Sequence, residues 1–109
     1  MPDLTARWND IVDHLLSLPD TARGKMMSAD AVTRQGKVFA FHSTKGGRPG
    51  LGVRLGRQTD FAALGLCDWQ HLAPFRTKPP MKDWIVAGAG DAERWNDLAL
   101  MAYDRMAPR

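Results

Sequence analysis

Cysteine is nearly missing from this chain: Cys67 is the one cysteine among 109 residues. A single thiol has no intramolecular partner, so a disulfide-stapled secreted scaffold is excluded and a reducing, cytoplasmic setting is expected. Long apolar runs are missing too. No stretch of 18 apolar residues occurs, so no membrane-spanning helix is expected. The N-terminal segment carries Asp3, Asp10 and Asp13. A secretory signal needs an early positive charge and a continuous apolar core, and a transit peptide avoids acids, so neither pattern is met. Internal repeats, low-complexity tracts and internal domain boundaries are also absent. What remains is an ordinary globular mixture, 44% hydrophobic and 25% charged. Residues 1–109 are expected to form a single domain, large enough to bury a core without metal or disulfides.

The formal net charge is +3, unevenly spread. Residues 1–20 hold one arginine against four aspartates, a net of −3. Residues 21–58 hold eight cations against Asp30 alone, a net of +7. A basic segment of this kind either meets an anionic partner or supplies solvated strand faces beside acidic helices. The candidate anion contacts in it are Lys25, Lys37, Lys45, Arg48, Arg54 and Arg57.

Hydrophobic spacing sets the order of elements. Trp8, Ile11, Val12, Leu15 and Leu16 follow the i, i+3, i+4, i+7, i+8 rule and predict a helix over 4–17, capped by Asp3 or Thr5 and ended by Pro19. Three strands are predicted next, over 25–32, 37–42 and 51–55, with turns at Gln35-Gly36 and at Lys45–Gly50. Asp60 or Thr59 starts a short helix carrying Phe61 and Leu64, and Gly65 breaks it. Strands are expected at 71–75 and 84–87, the former at a sheet edge because of Pro74. Asp91 is read as the cap of a last helix whose apolar face is Trp95, Leu98, Ala99, Ala102 and Met106. The result is a single two-layer α+β domain of order α-β(3)-α-β(2)-α with an antiparallel sheet.

Lys25-Met26-Met27, the turn and strand Gly36-Lys-Val-Phe-Ala40, and Pro80-Met81-Lys-Asp-Trp84-Ile-Val86 ahead of the last helix occur in that sequence order. This set resembles the TfoX N-terminal domain family and the related YjbR-like proteins, over about residues 5–106. The resemblance implies the same α-β(3)-α-β(2)-α order. It implies no catalytic residues, since stand-alone members have no agreed ones. Members with a second, C-terminal domain are linked to natural competence, a role not implied for a one-domain chain.

Motifs that carry chemistry are scarce. Cys67 and His71 are four apart, which on a helix would place them together, but without further ligands they make no zinc site. A nucleophilic cysteine needs a base and a depressed pKa, and Gly and Pro nearby favour an irregular loop instead. The glycines at 46, 47, 50 and 52 precede alternating Leu51, Val53 and Leu55, so a strand follows where a phosphate loop needs a helix. Asp10 with Asp13, and Asp91 with Glu93, suit helix solvation and dipole complementarity. No catalytic, cofactor or metal residues are assigned.

Aromatic residues say more. Trp8 and Trp95 belong to helix cores. The predicted strand 37–42 is apolar on both faces, Val38 and Ala40 pointing one way and Phe39 and Phe41 the other. One face then has to be covered, by a protein partner or a second copy. The candidate partner surface is Phe39, Phe41, Trp69, Arg76, Met81 and Trp84, since tryptophan and arginine anchor many interfaces. The sequence therefore predicts a non-enzymatic, protein-binding module, with self-association included. A nucleic-acid-binding accessory protein using segment 21–58 is the alternative, and a small-molecule binder or enzyme with a pocket near Trp84 is the third reading.

Overall fold

A computed structural model of the chain describes residues 4–26, 29–44, 49–73 and 77–106. Helix α1 spans Leu4–Leu16 and helix α2 spans Trp95–Arg105. Six strands lie between them: β1 Thr21–Met26, β2 Ala29–Arg34, β3 Lys37–Ser43, β4 Gly50–Arg54, β5 Trp69–Leu72 and β6 Met81–Gly88. Short 3-10 turns occupy Phe61–Leu64 and Ala89–Arg94. All strand pairs are antiparallel, in the order β1-β2-β3-β4-β6-β5.

The α+β class and antiparallel sheet agree with the sequence reading, but the strand count differs. The strand expected over 25–32 is instead the meeting point of two strands. Its β1 part pairs back on β2, Lys25 opposite Asp30 and Met26 opposite Ala29. Positive φ at Asp20 and Gln35 makes the flanking turns, and Gln35 N–H donates to the Asp20 carbonyl at 2.9 Å, closing the base of this hairpin. The apolar signal of 25–32 is interrupted because β1 lies at the sheet edge and is largely exposed. An alternation test works only where one face of a strand is buried.

Register explains how the layers are built. Val32, Ala40, Val53 and Ile85 are neighbours on successive strands, and this row faces the helices. The helices close over it with Trp8, Ile11, Val12 and Leu15 from α1 and with Trp95, Leu98, Ala99, Ala102 and Tyr103 from α2. Leu16, read as part of that face, is 38% exposed, because α1 ends there. Thr21 Oγ1 lies 2.9 Å from the carbonyls of both Leu15 and Leu18 and satisfies this helix end. Met106 lies just past α2 and is half-buried; Tyr103 takes the place expected for it in the core. Thr5 lies inside α1 rather than capping it, and Asp3 is outside the described residues.

Strand β3 carries a bulge, and it overturns the expected facing of its side chains. Val32 pairs with Ala40 but Thr33 pairs with Val38, so Phe39 is the extra residue. Phe39 and Ala40 both join the helix-side core, Phe39 meeting Tyr103 edge-on at 5.8 Å. Val38 and Phe41 face the other way. On that second face the row Ala31, Phe41, Gly52, Val86 crosses four strands. Phe41 lies over Gly52 so closely that a Cβ there would sit 2.0 Å from its ring, which accounts for glycine at that point of β4.

Candidate functional site

The structure separates the residues expected to form one partner surface. Phe39 is core and has no exposed surface. Phe41 and Trp84 form a second small cluster with Ala31 and Leu72, and at 3% and 6% exposure they are buried by this chain itself. Trp69 pairs with Ala87 on the helix side of the sheet, stacked on Phe61 at 5.7 Å, whereas Trp84 is on the opposite side. Met81 is exposed at 40%, and Arg76 and Pro74 lie outside the described residues. The bulge in β3 and the hidden rings of Phe41 and Trp84 remove the exposed double face that motivated self-association.

Cys67 and His71 do not meet chemically. His71 is in β5, with Nδ1 3.1 Å from the Trp84 carbonyl. The thiol of Cys67 instead donates to Asp91 Oδ1 at 3.2 Å. That hydrogen bond, with burial and the Asp91 and Asp68 charges adding to it, pushes the thiol up from its ordinary value, opposite to what a nucleophile needs. Asp91 is not a helix cap. It sits at φ −113°, ψ 20° inside the Ala89–Arg94 turn, buried, and accepts N–H groups from Cys67 at 2.9 Å and Asp68 at 2.6 Å. Asp68 replies by accepting Gly90 N–H at 2.9 Å. The two carboxylates thereby pin the start of β5 to the end of β6. Among the described residues no three His, Cys, Asp or Glu side chains come together as metal ligands.

His42 is a buried titratable group in the helix-side core. Its ring stacks on Trp8 at 5.7 Å and meets Trp95 edge-on at 6.4 Å, and its Nε2 has no hydrogen-bond partner among the described residues. Burial holds its pKa below the ordinary value near 6.5, and the Asp30 charge opposes this more weakly. Between 6.5 and that lower value the unfolded chain binds the proton that the folded one refuses. Stability should therefore fall as pH drops below about 6.5. Urea unfolding at pH 7.5 and 5.5 checks this: the wild type loses stability between them, and His42→Phe loses measurably less. Equal losses in both proteins would show that His42 does not carry the effect.

Three of the six candidate anion contacts do converge. Lys37, Arg54 and Arg57 line one cleft of about 640 Å³ with Arg34 and Arg105, at the end of the sheet where β2 turns into β3. Topology does this: Arg34 ends β2, Lys37 begins β3, Arg54 ends β4, and Arg105 is the last residue of α2. Gly56, at φ +90°, turns the chain so that Arg57 comes back to the cleft, a conformation other residues adopt only with strain. Leu55 and Gly56 N–H groups both donate to the Asp83 carbonyl, at 2.9 and 3.0 Å, and fix this turn against β6.

The cations are held in different ways. Arg34 lies over the Tyr103 ring at 3.9 Å and donates from Nη1 to the Tyr103 carbonyl at 2.8 Å, while its Nε is buried without a partner among the described residues. Arg105 Nη1 reaches Thr59 Oγ1 at 3.5 Å. Arg57 Nε stands 3.2 Å from Asp83 Oδ1, and Arg54 Nη2 stands 3.8 Å from Asp83 Oδ2. Asp83 is the one carboxylate among the described lining residues, against five cationic side chains. Mutual repulsion at this density favours an anion in the cleft.

Lys25 is elsewhere, on β1 opposite Asp30, and Lys45 and Arg48 lie outside the described residues. Near it Asp30 is engaged by the Trp8 indole N–H at 2.9 Å and by Arg23. Burial raises the Asp30 carboxyl, but those two hydrogen bonds and the Arg23 and Lys25 charges together outweigh it and leave it below its ordinary value. Arg34, Arg105 and Asp83 were not singled out from sequence. Positions 34, 54, 83 and 105 share no spacing rule, and only the strand order brings them together. Compared with protein-family models, curated proteins and solved structures, the chain matches none.

Proposed function

We propose that this chain is a non-enzymatic binding module of TfoX N-terminal type, and that it holds an acidic segment of a protein partner in the Arg34–Lys37–Arg54–Arg57–Arg105 cleft. One observation carries the reading: five cations and one carboxylate line a single concave site. A concave site of this volume suits a short acidic peptide, whereas duplex DNA asks for cations spread along an exposed ridge or a helix entering a groove. The family part of the reading rests on the resemblance of the three motifs and their order, and the raised Cys67 thiol argues against Cys67 as a nucleophile.

The experiment is a titration of fluorescein-labelled hexaglutamate, and in parallel of labelled duplex and single-stranded DNA, at two salt concentrations. The peptide is expected to bind, and Lys37→Ala with Arg105→Ala is expected to weaken it by about three- to tenfold. DNA is expected to bind on the non-specific scale of roughly 10⁻⁴ to 10⁻⁶ M. Nanomolar DNA binding at physiological salt, lost in Arg54→Ala with Arg57→Ala, would make nucleic acid the ligand instead. No peptide binding at low salt would remove the acidic-segment reading.

A further inference from the structure

We infer that Asp83 is a resident competitor for the partner's acidic side chains: its carboxylate occupies the grip of Arg54 and Arg57, and a partner carboxylate binds by taking its place. The inference rests on the acidic-segment reading of the cleft.

The geometry is that of an occupied carboxylate site. Arg57 Nε faces one oxygen of Asp83 at 3.2 Å and Arg54 Nη2 faces the other at 3.8 Å. Two guanidinium groups on the two oxygens of one carboxylate is the arrangement an incoming Asp or Glu side chain would need. The pairing is loose enough to exchange. Neither separation is that of a short charge-assisted hydrogen bond, Asp83 Oδ1 is itself a buried atom with no hydrogen-bond partner among the described residues, and each of the three side chains as a whole is at least one-third exposed. Exposed pairs of this kind contribute little to stability.

The Asp83 charge is also not what builds the local fold. Its backbone carbonyl does that, by accepting the Leu55 and Gly56 N–H groups that set the turn. The side chain is thus free to be displaced while the turn stays in place. Elsewhere in the cleft no carboxylate among the described residues pairs with Lys37, Arg34 or Arg105. A segment with two or more acidic residues would therefore put one carboxylate between Arg54 and Arg57 and another near Lys37 and Arg105. The free protein holds the first of these positions partly shut, which sets a threshold against weakly acidic sequences.

Asp83→Asn tests this, because it removes the charge and keeps the shape. Asp83→Ser is carried in parallel so that the comparison does not depend on one variant folding. Labelled hexaglutamate at low salt is expected to bind either variant about fivefold more tightly than the wild type, with little change in melting temperature. The same change made in an Arg54→Ala, Arg57→Ala background is expected to give no such gain. A gain that persists in that background would reflect net charge alone and overturn the inference. Unchanged or weaker peptide binding by folded Asp83 variants, while Arg54→Ala with Arg57→Ala still weakens the wild type, overturns it too and leaves the acidic-segment reading standing. Absence of peptide binding in every protein removes both. A preference of the Asp83 variants for duplex DNA over peptide would overturn the choice of a protein partner.

Discussion

Replacing Trp95 by alanine should lower stability by about 3–5 kcal/mol, the range for removing a fully buried tryptophan from a core. Trp95 begins α2, has no exposed surface, and donates its indole N–H to the Gly88 carbonyl at 3.1 Å. Alanine removes the ring, leaves that carbonyl short of its donor, and opens space beside His42, whose ring is also stacked on Trp8. The loss is to be read as a lower urea midpoint at unchanged slope. A domain of this size has only about 5–15 kcal/mol in total, so the variant should sit close to its unfolding limit at 25 °C. A second consequence follows from the same cavity: water reaching His42 would bring its pKa back toward the ordinary value and flatten the pH dependence above. A loss under about 1 kcal/mol would mean that the site collapses around the smaller residue.

Asp91→Ala should cost about 2–4 kcal/mol, because the N–H groups of Cys67 and Asp68 both lose their acceptor in a part-buried site. Asn at this position should recover only part of the loss, since one of its two terminal atoms is itself a donor. The effect depends on pH in a defined direction. Burial raises the Asp91 carboxyl, but the Cys67 and Asp68 N–H groups, the Cys67 thiol and the Arg94 charge together hold it below its ordinary value near 3.8. A depressed carboxylate stabilises the fold above the unfolded value, and that contribution is lost as pH falls through the folded one. The wild type should therefore lead Asp91→Ala by the full margin at pH 7, and by progressively less as pH falls below about 3.8. Chemical denaturation at pH 7, 5 and 3 measures this. A gap that stays constant down to pH 3 would place the stabilisation in packing rather than in the carboxylate.

Local signals carried a good part of the architecture. The i, i+3, i+4 spacing found both helices, and the residues that α1 buries are the four interior ones named from sequence. Leu51 and Val53 of β4, and Leu55 just past it, all face the helices, while the glycine between the first two sits under Phe41 on the other face, so the direction of the strand was legible. Asp60 was legible as a start signal as well: its carboxylate accepts the Ala63 N–H at 3.2 Å, and Gly65 stops the turn at φ +71°. These features depend on neighbours within a few residues. The β1–β2 hairpin was hidden because an exposed edge strand has no apolar alternation to show. The β3 bulge was hidden because an extra residue shifts the facing of everything beyond it without changing composition.

The candidate cleft divides along the same line. The excess of cations in 21–58, with Lys37, Arg54 and Arg57 among them, was determined by the sequence itself, since formal charge needs no fold. Which of those cations share a site was decided by tertiary structure. Lys25 and Arg34 lie on adjacent strands, yet antiparallel pairing sends them to opposite ends of the sheet. Arg105 arrives from the far end of the chain because α2 packs its C-terminal turn against that same edge. Asp83 enters because β6 inserts next to β4 and places Trp84 opposite Arg54. The physical reason is that charge and periodicity are properties of short stretches of chain, whereas a site made from two strand ends, a turn and a helix terminus exists only after non-local strand pairing has fixed which ends meet.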